Sequence, residues 1–205
     1  MKTINDYARV TVDYYDHNSE QYEKKADSVD FSEISDSFLK YLKKGSLILD
    51  FGCGTGRDSK YFIHKGYKVY PVDGSTEMCK RASMLLGQEV VNMYFNEFKE
   101  INKFDGIWAC SSVLHLPTNE LISTLKNLEK SLKNGGYIYL TFKYGEYEGY
   151  RNGRFFNDMT EDKFKKILMQ ISNISIMETF YNTSTIKEQI NKQWINFFLK
   201  KSIEE

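Results

Sequence analysis

Proline is scarce in this chain: Pro71 and Pro117 are the only two among 205 residues. No prolyl pair and no Pro-Cys step occurs, so chemistry that depends on either is excluded. Cysteine is nearly as rare. Cys53, Cys79 and Cys110 are far apart and form no C-x-x-C pair, which argues against a zinc site or a disulfide framework. No metal is expected, and free thiols fit a reducing compartment. Neither sign of charge predominates, because 28 basic residues face 28 acidic ones. Without a net positive field, nucleic acid is disfavoured as a partner. Apolar runs such as Leu47–Leu49 fall far short of the roughly 20 residues that span a bilayer. Met1–Arg9 lacks the apolar core of a signal peptide. A cytoplasmic location away from membranes is therefore expected.

What remains is ample for one core. Hydrophobic residues make up 41% and aromatics 15% of the chain, and its length suits a single domain over 1–205. Phe31, Ile34, Phe38, Tyr41 and Leu42 recur at helical spacing, and Gly45 stops that helix. A short apolar run at Leu47–Leu49 reads as a buried strand. A helix over 57–65 and a strand over 67–72 follow. Ser75 is placed to cap a helix over 75–86. Strands are expected at 89–93 and 104–109, with a helix over 117–132 between the latter and a strand at 137–142. Asn134-Gly135-Gly136 is expected to turn the chain into that last strand. Alternating strands and helices imply a mostly parallel sheet with helices on both faces. Beyond it, 143–158 reads as a glycine-rich loop or hairpin and 161–170 as a helix. Strands near 174–181 and 194–200 are expected to form an antiparallel edge pair.

The segment Asp50-Phe51-Gly52-Cys53-Gly54-Thr55-Gly56 directly follows the first sheet strand. In an open α/β sheet this is where ligands bind, and glycine lets backbone approach them closely. Asp73 stands at the end of the second strand, where a carboxylate can receive ribose hydroxyls. The dinucleotide fingerprint G-x-G-x-x-G fails, because its third glycine would be Arg57. The phosphate-binding G-x-x-x-x-G-K-[ST] is absent too.

Ile48 to Gly56 closely resembles the first motif of class I methyltransferases that use S-adenosylmethionine (SAM). Val69 to Ser75, with Met78, resembles their second motif. Phe104–Ala109 resembles the strand walling the methionine end, and Asn134-Gly135-Gly136 stands where the family has proline and two glycines. The resemblance covers about residues 30–142 in the family's order. It implies a Rossmann-like doubly wound sheet of about seven strands, with SAM as cofactor and S-adenosylhomocysteine (SAH) as product. By this resemblance Gly52, Cys53, Gly54 and Gly56 line the methionine and ribose, with Asp50 close to the methionyl amino group. Asp73, Gly74 and Ser75 meet the ribose, and Met78 packs on adenine. Relatives place a carboxylate after the third strand; here Tyr94 and Phe95 would take adenine by packing. Ala109 and Leu114 would close the methionine end.

The acceptor is expected outside the core, which spans 45–142. One candidate region is an N-terminal helical lid over 1–44 bearing Tyr15 and Tyr22, which resembles the tyrosine-bearing entry of small methyltransferases. Eight acids lie between Asp13 and Asp36, against Lys24 and Lys25, suggesting a lid suited to a neutral or cationic acceptor. The insertion over 143–158 contributes Lys143, Tyr144, Arg151 and Arg154, and a C-terminal helix and strands fill 159–205. His115 is the general-base candidate, since its ordinary pKa lies near neutrality; a loop histidine bonded to backbone is the plainer reading. The resemblance implies a small-molecule acceptor methylated on O, N or S by a monomer or homodimer. A tRNA or protein methyltransferase, supported by a basic patch at Lys163, Lys165, Lys166, Lys200 and Lys201, and a non-catalytic SAM-binding module are the alternatives.

Overall fold

The computed structural model describes residues 6–183 and 193–203. The central sheet contains β1 (Leu47–Phe51), β2 (Lys68–Asp73), β3 (Val91–Asn92), β4 (Phe104–Ala109), β5 (Leu132–Lys143), β8 (Ile174–Thr183) and β9 (Gln193–Lys201). Its seven strands run in the order β3-β2-β1-β4-β5-β9-β8. The first five are parallel, and β9 lies antiparallel between β5 and β8. The chain winds outward from β1 to β3 and returns to β4, so β1 and β4 flank the switch point where such sheets bind ligands. A separate hairpin joins β6 (Glu148–Arg151) to β7 (Arg154–Asn157). Asn152 and Gly153, with φ of 52° and 74°, supply its left-handed turn.

Two apolar layers sandwich the sheet. On one face Phe38 of α2 (Ser32–Leu39) and Phe62 of α3 (Arg57–His64) pack with Trp108, Tyr139 and Phe198. On the other, α5 (Thr118–Ser131) and α6 (Glu161–Leu168) bury Leu121, Leu125, Phe164 and Ile167 against the strands. Between β2 and β3 runs α4 (Thr76–Leu86), capped by Ser75, whose Oγ accepts from the Met78 amide at 3.1 Å.

The continuous pairing of β5 with β4 and β9 begins at Tyr137, as expected; Asn134-Gly135-Gly136, with Gly135 at φ 74°, lies in the irregular stretch between it and the isolated Leu132 pair. Two expectations need correction. The helix expected over 31–42 stops at Leu39, although Tyr41 and Leu42 still pack against the core. The strand expected over 89–93 is paired only at Val91–Asn92.

The lid is mainly α1 (Asp6–Asp27), kinked at Asn18, where φ is −117°. Polar ties hold it over the strand ends. Asp16 accepts from Ser75 Oγ at 2.6 Å and the Glu77 amide at 3.0 Å, placing a carboxylate at the positive end of α4. Arg81 donates to Ser19 and pairs with Glu23 at 2.6 Å. Thr11 Oγ1 accepts from the Phe155 amide, which ties α1 to the hairpin. Among the described residues no helix is long and apolar enough to cross a membrane.

Candidate active site

After β1 the backbone turns through Gly52, Gly54 and Gly56 at φ of 84°, 56° and 90°, a region L side chains rarely occupy. A Cβ at Gly52 would collide with Ser112, so the loop lies directly against the segment that follows β4. Asp73 fixes the loop from β2. One of its oxygens accepts from the Gly54 amide and the other from the Ser75 amide, both at 2.8 Å. Each carboxylate oxygen has a second lone pair, so Asp73 retains capacity for two hydroxyl donors. Burial pushes its pKa up.

These groups line a cavity of about 100 Å³ beneath α1. Gly52, Gly54, Asp73, Gly74, Met78 and Phe95 face it, with Tyr94 alongside. Tyr7, Ala8, Thr11 and Val12 cover it from α1, and none carries a sequence signal beyond helical spacing. Ser111 and Ser112 close its far side; Ser111 sits at φ 55°, where a non-glycine residue is uncommon.

A second cavity, about 270 Å³, adjoins the first, sharing Tyr15, Tyr22, Cys110, Ser111 and His115 as a common wall. Its rings come from Tyr14, Phe31, Phe156 and Trp194, and its amides include Asn18, Gln21 and Asn196. Among the described residues, the charged ones on its lining are Lys25, Arg57, Lys143 and Arg154, against Asp30. Arg57 is neutralised by a fork to Asp58, with Nε to Oδ1 at 2.6 Å and Nη2 to Oδ2 at 3.0 Å.

Four acids of the lid look elsewhere. Asp16, Glu23 and Glu20 are engaged with α4 or with Lys24, and Asp36 pairs with Lys65. This runs against the expectation of an acidic lid suited to a neutral or cationic acceptor: among the described residues the charge lining the cavity is mainly positive.

Tyr15 and His115 form the hinge between the cavities. The His115 ring lies 2.6 Å by Nδ1 from the Phe155 carbonyl and 2.9 Å by Nε2 from the Tyr15 hydroxyl. A carbonyl only accepts, so Nδ1 carries the proton and Nε2 accepts from Tyr15. Burial, with the positive charge of Arg154, Lys143 and Arg151 nearby, pushes the histidine pKa down to about 3. The near-neutral pKa that singled out His115 is thus absent, and both ring nitrogens are already bonded. Tyr15 Oη also accepts from Arg154 Nη1 at 3.2 Å, leaving one lone pair toward the cavities. Burial raises the Tyr15, Tyr22 and Cys110 pKa values, so all three keep their protons near neutrality.

Several expected site residues lie off the cavities. Asp50 is buried behind the loop, accepting from Ser59 Oγ at 2.6 Å, and burial beside Asp58 pushes its pKa up to about 8. Cys53 forms part of the loop outside both linings, and Gly56 starts α3, its missing Cβ making room for Ala82. Ser75 is spent on capping α4, and Ala109 is buried in β4. Leu114 faces the second cavity instead of the first. On the hairpin, Arg151 forks onto Asp158, and the Tyr144 ring meets Tyr181 at 5.5 Å, outside both linings. Tyr15, Tyr22, His115, Lys143 and Arg154 do come together at the second cavity. The residues missed there are Arg57, Phe31, Trp194 and Asn196, contributed by distant segments with no local motif.

Residues 49–140 match the family model described as a methyltransferase domain. An uncharacterised methyltransferase of Geobacillus sp. (strain WCH70) is 32% identical over 130 residues, covering 62% of this chain and 61% of that relative. Among solved structures, a SAM-dependent methyltransferase from Methanosarcina mazei superposes with a TM-score of 0.72 at 19% identity, over 86% of this chain and all of that one. The 1,6-didemethyltoxoflavin-N1-methyltransferase of Burkholderia thailandensis, solved with 1,6-didemethyltoxoflavin and SAH, gives 0.77 at 17% identity, over 98% and 92%.

Proposed function

We propose that this chain, whose residues 49–140 match a methyltransferase domain, is a class I SAM-dependent methyltransferase that transfers the methyl group of SAM to an O, N or S atom of a small molecule. The observation that carries this reading is the junction of the two cavities at Tyr15, Tyr22, Cys110, Ser111 and His115. The smaller cavity fits the cofactor. Gly52, Gly54 and Gly74 leave space where side chains would intrude, Asp73 has lone pairs for a ribose diol, and Met78 and Phe95 offer apolar surface for adenine. The larger one holds the acceptor under α1.

When bound, SAM would supply an electrophilic methyl on a sulfonium; the acceptor's lone pair would form the new bond as carbon–sulfur breaks, leaving SAH, and a proton carried by the acceptor atom would pass to solvent on product release. The protein's task in such a displacement is alignment and exclusion of water. Tyr15 aligns: His115 Nε2 accepts the hydrogen bond of its hydroxyl, so the oxygen presents a lone pair to an O–H or N–H of the acceptor. His115 is thus a positioning residue acting through Tyr15. The lid ties from Asp16, Arg81 and Thr11 keep water out.

The small-molecule reading is preferred to tRNA or protein because the lysines expected to form a basic patch are largely spent. Lys163 binds Asn157 and Glu148, Lys165 pairs with Glu161, and Lys201 with Glu129 at 2.9 Å. Transfer of labelled methyl from SAM into a metabolite extract tests the proposal. The expected outcome is a labelled small product that Asp73→Ala abolishes. Label appearing only in RNA or protein would overturn it.

A further inference from the structure

We infer that the acceptor of this chain is a planar molecule carrying a carboxylate, which docks on Arg154 while its ring lies among Tyr14, Tyr15 and Phe156. The inference rests on the proposal that the larger cavity is the acceptor site, and it names the class of molecule that site would take.

Arg154 begins β7 and lines the larger cavity. Its guanidinium carbon lies 4.2 Å from the Tyr14 ring centre, 5.1 Å from Phe156 and 5.5 Å from Tyr15. Stacking satisfies the faces of the guanidinium, but its edge donors need acceptors. Nη1 reaches Tyr15, whereas Nε is buried with no acceptor, the single buried side-chain nitrogen or oxygen so placed among the described residues. A buried donor left unpaired costs about 1–3 kcal/mol; because Nε exposes no surface, a ligand in the cavity would meet the rest of the guanidinium.

The two other hairpin and loop arginines make the contrast. Arg151 forks onto Asp158 and Arg57 onto Asp58, each matched by a carboxylate in the bidentate manner. Among the described residues Arg154 has no such carboxylate, although it stands in the same cavity as Arg57. Lys143 adds to the positive field, lying 4.2 Å over Phe156 and 5.8 Å from the Trp194 ring. Asp30, the one acid on the lining among the described residues, accepts from the Ser32 amide at the exposed rim. A carboxylate supplied by the ligand would complete the Arg154 fork in the way Asp158 completes that of Arg151.

The test uses 4-hydroxybenzoate and its neutral isostere 4-hydroxybenzamide, titrated into the whole chain with and without SAH and followed by calorimetry and tryptophan fluorescence. Trp194, on the cavity wall, provides the optical signal. The benzoate is expected to bind at least about tenfold more tightly than the amide, or about 1.4 kcal/mol. Arg154→Gln should erase that preference, and Arg154→Lys should restore part of it. SAH affinity, measured separately, should stay within about threefold in both variants, which shows that they fold. Equal binding of the two probes, a preference that survives Arg154→Gln, or no binding of the benzoate would each overturn the inference. Failure of SAH to bind the wild type would instead remove the cofactor proposal, and the titrations without SAH would still report the anion preference.

Discussion

The two cavities are built by different means, and the difference explains how each would respond to change. The smaller one is a backbone structure. Its floor is shaped by three left-handed glycines and by the amides of Gly54 and Ser75 held by Asp73, in the loops after β1 and β2, while α1 and the turn after β4 close over it. The larger one is a side-chain structure. Its wall draws on α1, Phe31, Arg57, the turn after β4, β7 and β9, which lie far apart in the chain. A backbone cradle recognises a fixed ligand and tolerates little. A wall of side chains can be redrawn residue by residue without disturbing the loop beside it.

Breaking that contrast should be hardest at the loop. Gly52→Ala forces a Cβ into Ser112 at a φ of 84°, so SAH affinity should fall more than about 100-fold and stability by about 2–4 kcal/mol. Calorimetry and urea denaturation measure the two. Asp73→Ala leaves two amides without their acceptor and should weaken SAH binding by about 30-fold or more, with a loss of about 1–3 kcal/mol in stability.

The acceptor wall should behave otherwise. Tyr15→Phe removes the oxygen that His115 and Arg154 hold in place. SAH affinity should change less than about threefold while methyl transfer falls about tenfold or more, as expected for lost alignment. Equal losses in both measurements would show that the halves are not separable.

Titration sharpens the same division. Asp50, behind the loop, has its folded pKa raised to about 8, well above an ordinary carboxyl. The folded state therefore holds a proton that the unfolded state has released, and the stability this confers below pH 4 is lost as pH rises through 8. His115, behind the wall, has its pKa depressed to about 3, so its contribution is present above pH 6.5 and is lost as pH falls toward 3. Between pH 6.5 and 8 only Asp50 of this pair titrates. Denaturation across that window should show stability falling by about 1–2 kcal/mol, and Asp50→Asn should remove the fall.

The same contrast governs how much was legible in the sequence. Glycine spacing encodes backbone conformation directly, so Asp50–Gly56 and Asp73 marked the loop and its place at the strand ends, while the alternation of strands and helices marked a mostly parallel sheet. Within the motif, Cys53, Gly56 and Ser75 lie off both linings, where they serve the turn, helix packing and a cap. For the acceptor wall, local reading had little to use. Tyr144 and Arg151 lie within the insertion, yet strand alternation and the Asp158 fork take them away from the cavity. Trp194 and Asn196 arrive through β9, whose insertion between β5 and β8 no local pattern encodes. The acids of α1 appeared to set the site's charge, but their partners on α4 lie some sixty residues away.

The central claim is that the loop after β1 and Asp73 form a SAM site opening onto a separate acceptor cavity. Calorimetric titration of wild type, Asp73→Ala and Tyr15→Phe with SAH tests it most directly. The account predicts saturable one-site binding to wild type and Tyr15→Phe at similar affinity, and a loss of about 30-fold or more in Asp73→Ala. No binding to the wild type, or binding indifferent to Asp73, would contradict it.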